Sequence, residues 1–475
     1  MNKPLSSTTR HHAPEAKMTL LAQTPVPRAL IALGVPTMLA MVITAVYNLV
    51  DTYFVSSLGT EALGAVTVVF PLGQLVTGLG LLFGNGAAAY LPRLLGRGDT
   101  ATANKVASTA LWGSIGIGVV VIGGLLGFIQ PILRQLGAVE SILPDATTYA
   151  VIYLAGSVFA VINVAMNNLF AAQGATATAM VALMVGAVLN VILDPILIFA
   201  AHWGVAGAAI ATCISQLATT ALYVRHVVVG RSVFTFRTRE VSAAWAIWSE
   251  ILKVGLPTLL FQVLTSVAIS VTNAAAVSYG PSALAAMGPV TKVMTVGSLI
   301  VFGFLKGFQP LAGFSFGAGR IDRLRAAIWA SLIASTGFCV VFGATVALAA
   351  TPIMAAFTDS DDMMIAIGTT ALRASGISFS LFGFYTVYSF LLLTMGKALS
   401  GCVLGAARQG ICFLPVIWIL PSLLGLDGVL YAQPVADVLA AMMAAVMAWR
   451  LHRSLRETAS GYTGSTSEKD PVHES

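Results

Sequence analysis

Asp194 lies deep in an apolar run, Leu189-Asn190-Val191-Ile192-Leu193-Asp194-Pro195, where an ionisable side chain is costly and is a functional candidate by default. Asn190 sits one helical turn earlier, on the same face. Pro195 removes a backbone donor and frees a carbonyl near residue 191, adding either an oxygen ligand or a hinge. Thr212 and Gln216, spaced by four, are suited to close such a site from an adjacent helix. A second acid, Asp51, shares a face with Tyr47 and Asn48, and Thr37 and Thr44 continue that polar stripe. Carboxylate, amide and hydroxyl oxygens suit sodium, a hard cation. Two carboxylates brought together in a dry site instead suit proton carriage. These residues permit both ions and choose neither. The competing readings are a structural hydrogen-bond cluster around Asp194 and an interfacial loop start at Asp51.

Other chemistry finds little support. Cys213, Cys339, Cys402 and Cys412 lie scattered in apolar runs with no paired spacing, which reads as buried hydrophobes and not as a disulfide or thiolate metal framework. No histidine pair or Ser-His-acid set falls at membrane depth, and no P-loop sequence is present. The expectation is a protein that is not an enzyme, has no cofactor, and draws on an ion gradient or on its substrate's own gradient.

The elements that must position these groups are membrane spans. The chain has 475 residues, 57% of them hydrophobic and 9% charged, against about a quarter charged in a soluble domain. Its mean hydropathy is +0.88. A soluble enzyme, a disordered chain and a fibre are all excluded. Charge-free runs place twelve spans: 29–50, 62–92, 106–133, one ending near 171, one running to about 200, 204–224, 251–273, 283–306, 326–350, 370–394, 400–422 and 428–449. The fourth and fifth share one uncharged stretch that breaks at Gln173-Gly174. Lys and Arg gather in the loops on one side (Arg93, Arg97, Lys105; Arg225, Arg231, Arg237, Arg239, Lys253; Arg320, Arg323, Arg325), whereas the other side holds Arg134 among Glu140, Asp361, Asp362 and Asp427. The positive-inside rule then makes both termini cytoplasmic, and the net charge of +6 requires no nucleic acid partner.

An internal repeat is legible at a constant offset of 221 residues. Leu33-Gly34-Val35-Pro36-Thr37 reappears as Val254-Gly255-Leu256-Pro257-Thr258, Phe83 and Gly86 as Phe304 and Gly307, Gly96 and Gly98 as Gly317 and Gly319, and Gly204 and Gly207 as Gly425 and Gly428. Each copy holds an even number of spans, six, so the repeat is parallel, with an axis along the membrane normal and a route between the copies. The expected organisation is a cytoplasmic segment 1–28, a first lobe 29–228, a cytoplasmic linker 229–249, a second lobe 250–451 and a disordered tail 452–475. The repeat favours a carrier over a channel. The acids are not duplicated, since Asp51 becomes Thr272 and Asp194 becomes Pro415, which confines cation coupling to the first lobe. Lys292, Lys306, Arg373 and Arg408 read as half-buried or snorkelling bases.

Taken in order, these residues resemble the multidrug and toxic compound extrusion (MATE) family over positions 20 to 450. The carrying segments are Ala32-Leu33-Gly34-Val35-Pro36, Tyr47-Asn48-Leu49-Val50-Asp51-Thr52, Leu95-Gly96-Arg97-Gly98-Asp99, 189–199, 204–212, Gln309-Pro310 and Gly317-Ala318-Gly319. The resemblance implies an all-α membrane protein of twelve helices in a V-shaped pair of six-helix lobes. It implies export of amphipathic, often cationic compounds in exchange for H⁺ or Na⁺ by alternating access. In the bacterial and archaeal branch that it most resembles, the ion site falls on Asp51, Asn190, Asp194 and Thr212, and a helix-bending proline falls on Pro36. The sequence departs from the branch with acids in helices seven and ten, since the seventh span offers only Gln262 and Asn273 and the tenth only Arg373.

The expectation is therefore a multi-pass protein of the prokaryotic cytoplasmic membrane, working as a monomer among lipids on small-molecule substrates. Tyr47, Asn48, Asn163, Asn167 and Gln262 are the candidates for the substrate path. The alternatives are a flippase for lipid-linked sugars and, more distantly, an intramembrane protein that does not transport.

Overall fold

A computed structural model of the chain describes residues 17–465 apart from 59, 137, 139, 141 and 358–360. Most of the N-terminal segment and the end of the tail lie outside the described residues. Among the described residues every apolar run is helical, as the sequence requires: with no water to satisfy the backbone, each run closes its own hydrogen bonds. The spans are α1 (Val26–Ser56), α2 (Thr60–Gly96), α3 (Thr100–Gly127), α4 (Leu143–Ala172), α5 (Thr176–Pro195), α6 (Gly204–Val228), α7 (Trp245–Val277), α8 (Pro281–Gly317) and α9 (Ile321–Leu348). Then come α10, made of Asp362–Phe379 and Phe382–Thr394 meeting at 51°, α11 (Ala398–Ala406, resuming as Phe413–Leu424) and α12 (Leu426–Ser465). With the bent pair taken as one span, the described residues hold the twelve expected from sequence. The last helix runs to Ser465, where composition predicts a disordered tail.

Two features depart from simple helix, the first directly after Pro195 and the second with no proline at the break. A single π-turn ends α5 at Ile196–Ala200 and another interrupts α11 at Ala407–Ile411. Each carries a bond to the fifth residue back, Ala201 N to Ile196 O at 2.8 Å and Cys412 N to Ala407 O at 2.9 Å. Such turns insert one extra residue and rotate the following face by about 100°.

The chain forms two compact units. The first gathers the chain to Ser266 with Lys292–Ala318 and Thr394–Ala398; the second gathers Val267–Thr291, Gly319–Leu393 and the chain from Leu399. The first unit thus holds α1–α6 together with parts of α7 and α8, and glycines at helix crossings explain how. A Cβ on Gly307 of α8 would lie 2.4 Å from Gly34 N of α1, and one on Gly303 would lie 2.9 Å from Thr37 O. Between α2 and α7, a Cβ on Gly255 would lie 2.0 Å from Leu82 O and one on Gly86 2.3 Å from Ile251 O. Between α2 and α8, a Cβ on Gly96 would lie 2.3 Å from Phe314 O and one on Gly317 2.2 Å from Arg93 O. The repeat glycines are therefore where backbones touch. Gly98 and Gly319, also repeat mates, turn the chain out of α2 and α8 with φ of +77° and +69°, a conformation that disfavours any side chain. Asn85 Nδ2 of α2 adds a hydrogen bond to Thr258 Oγ1 of α7 at 3.1 Å.

At the end of this unit that bears the basic loops, Arg93 lies over the Tyr90 ring (4.8 Å) and pairs with Glu250 at 3.3 Å, while Lys253 pairs with the same carboxylate at 2.6 Å. Asp99 caps α3, accepting from Thr102 N at 3.0 Å. That amide bond holds the Asp99 carboxyl below its ordinary range.

The segment 229–249 is a fastened strap, although its composition reads as a plain polar linker. Gln173 at the end of α4 is fully buried and its Oε1 accepts from Val233 N (2.6 Å) and Ser232 Oγ (3.1 Å). From α3, Asn104 accepts from Thr235 N (3.1 Å), Thr109 Oγ1 accepts from Ser242 N (3.0 Å) and Trp112 Nε1 donates to Phe236 O (3.2 Å). Phe234 and Phe236 are buried beneath. Replacing Gln173 with Ala leaves the Val233 amide without its acceptor, at about 1–3 kcal/mol. The expected outcome is a thermal unfolding midpoint lower by several degrees and faster tryptic cleavage at Arg231 and Arg237. Unchanged melting and cleavage would show that the strap holds without Gln173.

Candidate cation site

The α5 acid is placed where its sequence position implies. Asp194 is 0% exposed and Asn190 1%. Asn190 Nδ2 donates to Asp194 Oδ1 at 3.2 Å, across one helical turn. Two oxygens remain, Asp194 Oδ2 and Asn190 Oδ1, both buried and both without a donor. Buried acceptors left open in this way are expensive. Facing them from α1 is Asp51, whose carboxyl lies within side-chain hydrogen-bonding reach of Asp194. A second carboxyl supplies a donor only when it carries a proton. A proton shared between Asp51 and Asp194 therefore satisfies Asp194 Oδ2, and a cation that collects the open oxygens satisfies both.

Three phenols close round Asp51. Tyr47 comes from α1, as its spacing implies, and Tyr149 and Tyr153 come from α4, all within electrostatic reach of the Asp51 carboxyl. The Tyr149 and Tyr153 rings stack at 5.7 Å and 10°. Gly73 of α2 makes room for the second, since a Cβ there would lie 2.8 Å from the Tyr153 hydroxyl. The sequence reading misses these two tyrosines; a helical pair at i and i+4 in an apolar span is the available signal.

Thr212 is buried on α6 and its hydroxyl donates to Ala208 O at 3.1 Å. Gln216 turns elsewhere. Asn163 Nδ2 donates to Gln216 Oε1 (2.7 Å) and to Gln216 O (2.8 Å), and Asn163 Oδ1 accepts from Thr220 (2.8 Å), so this asparagine ties α4 to α6. Asn167 donates to the Tyr223 hydroxyl at 3.4 Å, and that hydroxyl donates to Ala179 O at 3.4 Å. Gln262 lies half-buried on α7. The side chain of Asn48 lies outside the described residues.

Pro36 stands inside α1. The carbonyl left without an amide partner by a helical proline is four residues back, here Ala32 O, and it accepts from Thr176 Oγ1 at the start of α5 at 3.5 Å. The kink position in α1 is thereby tied to the helix that carries Asp194.

With the two-copy helix arrangement and this buried pair in view, comparison with known proteins is decisive. The MatE family profile matches twice, over residues 36–196 and 257–419, and the two matches begin at repeat-equivalent prolines. The chain belongs to the MatE family. Within this family, the multidrug export protein MepA of Staphylococcus aureus (strain NCTC 8325 / PS 47) is 28% identical over 434 residues, covering 91% of this chain and 96% of its own length. A structure described as the outward-facing conformation of a multidrug resistance MATE family transporter of the MOP superfamily has a TM-score of 0.87 at 26% identity, covering 93% of this chain and 98% of that one. A MOP superfamily transporter from Pyrococcus furiosus, described as having a binding pocket of reverse polarity, has a TM-score of 0.86 at 27% identity, covering 92% and 98%. The chain is a multi-pass MATE-family membrane transporter.

Proposed function

We propose that this MATE transporter exports amphipathic, cationic organic compounds across the cytoplasmic membrane in exchange for H⁺ or Na⁺, by alternating access. The observation that carries the exchange is the Asp51–Asp194 pair with Asn190, of which Asp194 and Asn190 are buried and together two hydrogen-bond donors short. An empty carboxylate pair carries two negative charges in a dry environment and is unfavourable, and a monovalent cation removes one of them along with most of the repulsion between the two. Filling and emptying the pair therefore biases the α1–α5 packing between two states, and a ligand with different affinity for those states drives the exchange. The multidrug export activity named for the MepA relatives supports the substrate class. The basic loop ends support an orientation with both termini in the cytoplasm.

In this reading Asp51 and Asp194 hold the ion, and Asn190 fixes the Asp194 rotamer. Thr212 supplies a further oxygen, and Pro36 with Thr176 provides the bend in α1 that responds to the pair. Tyr47, Tyr149 and Tyr153 line the approach to Asp51 with aromatic faces, which suit an organic cation. The protein works as a monomer, because both repeat copies are in one chain.

The test is export of a fluorescent organic cation from proteoliposomes under an imposed pH gradient or an imposed sodium gradient, each applied alone. One gradient is expected to drive uphill movement and the other to leave it unchanged. Equal movement with neither gradient would overturn the coupling.

A further inference from the structure

The second compact unit holds a buried ion pair that the Asp51–Asp194 site does not use. Arg408 Nε donates to Asp437 Oδ1 at 2.8 Å, and Gln433 Nε2 donates to the same oxygen at 3.0 Å. Ser378 Oγ donates to Asp437 Oδ2 at 2.8 Å. The Asp437 side chain is 1% exposed and that of Arg408 12%. The guanidinium lies over the Phe382 ring, 4.8 Å from its centroid. Tyr385, within electrostatic reach of that guanidinium, is buried with its hydroxyl unpartnered.

Three observations separate this pair from an ordinary structural salt bridge. First, a buried ion pair of this kind gains little over well-packed apolar residues, so stability alone does not account for it. Second, Arg408 leaves the helix from the π-turn Ala407–Ile411. One residue more per turn re-aims the side chain, and π-turns gather at functional sites. Third, Ser378, Gln433 and Asp437 are the repeat mates of Ser157, Thr212 and Gln216. The acid of the second half thus stands one turn from the mate of Thr212, the α6 member of the first-half site. Carboxylate and aromatic face are the groups that recognise a planar organic cation, and Gln433 and Ser378, which donate to that carboxylate, hold it in place.

We propose that Asp437, Gln433, Ser378 and the Phe382 ring form a cation-binding cradle in the second half, fitted to a guanidinium-type cation and occupied by the chain's own Arg408. The tethered guanidinium fills the position that a free cation would take, and withholds it from exchange. Only the first half then offers a site that fills and empties. This holds whether the ion exchanged in the first half is H⁺ or Na⁺, because none of the same side chains is involved.

Arg408→Ala opens the cradle while leaving Asp437 in place. The full-length variant, purified in detergent, is melted in millimolar guanidinium or ethylguanidinium chloride and in sodium chloride of equal ionic strength. The expected result is a saturable rise of several degrees in unfolding midpoint with the guanidinium salts alone, absent in wild type and in Arg408→Ala/Asp437→Asn. If Arg408→Ala folds only when expressed and purified with ethylguanidinium present, that rescue is the same result. No response to guanidinium, or an equal response in Arg408→Ala/Asp437→Asn, overturns the cradle. So does a variant that no guanidinium recovers while the charge-free Arg408→Met/Asp437→Leu folds normally.

Discussion

Replacing Asp194 with Asn is expected to abolish gradient-driven export while the protein remains folded. The amide has the shape of a protonated carboxyl, so position 194 is fixed in its neutral form and Asp51 alone is left to hold a proton or cation. The pair can then no longer fill and empty. Asn190 still finds an acceptor in the carbonyl oxygen of the introduced amide, and the α5 packing is undisturbed. Interactions of a buried carboxylate are worth about 3–5 kcal/mol when one partner is lost, and each 1.4 kcal/mol is a factor of ten. The coupled rate is therefore expected to fall at least about a hundredfold. The same export assay measures it, with circular dichroism and the unfolding midpoint as checks on folding. Asp51→Asn is expected to give the same loss, because the two acids act as one proton or cation holder. If either variant exports at the wild-type rate, the pair is a structural cluster and the coupling ion binds elsewhere.

The second large effect is steric. Ala at Gly307 would place its methyl 2.4 Å from Gly34 N and 2.5 Å from Gly34 Cα. Both are backbone atoms, so no rotamer change relieves the contact. Overpacking of this kind costs about 1–3 kcal/mol and occasionally more. The α1–α8 crossing must part, and the basic end of the first unit opens. Export is expected to drop at least tenfold, and a cysteine introduced at Met38 to label faster with a membrane-impermeant maleimide. Gly116→Ala is the control, since an added methyl there meets nothing within 4 Å. Wild-type export by Gly307→Ala would show that the crossing need not close during transport.

The parts of this site that are legible in the sequence are those where a residue is expensive for its surroundings. Asp194 stands out because every neighbour is apolar, and Asn190 follows from the helical period. The span count follows from the same contrast. Tyr149 and Tyr153 stay invisible because a tyrosine in a span is unremarkable until something polar is found beside its hydroxyl. Asn163 reads as a free polar group for the substrate path, and its actual partners, Gln216 and Thr220, lie on another helix. The strap at 229–249 reads as a linker for the same reason: its bonds go to Asn104, Thr109 and Trp112, more than a hundred residues away. The bend in α10 and the π-turn in α11 have no proline at the break to announce them, whereas the π-turn after α5 follows Pro195 directly. Arg408 reads as a snorkelling base because its partner, Asp437, is a span away and the π-turn that aims it leaves no mark in the sequence.

The glycine crossings have one further consequence. Gly96 meets Phe314 and Gly317 meets Arg93, and each contact is the other with its two repeat copies exchanged. The α1–α8 and α2–α7 crossings are exchanged in the same way, helix for helix. Residue i of one copy touches residue j of the other, and j touches i, which is the isologous geometry of a twofold homodimer. The chain carries a subunit interface inside a single polypeptide. A change at one of these glycines is therefore felt by both copies.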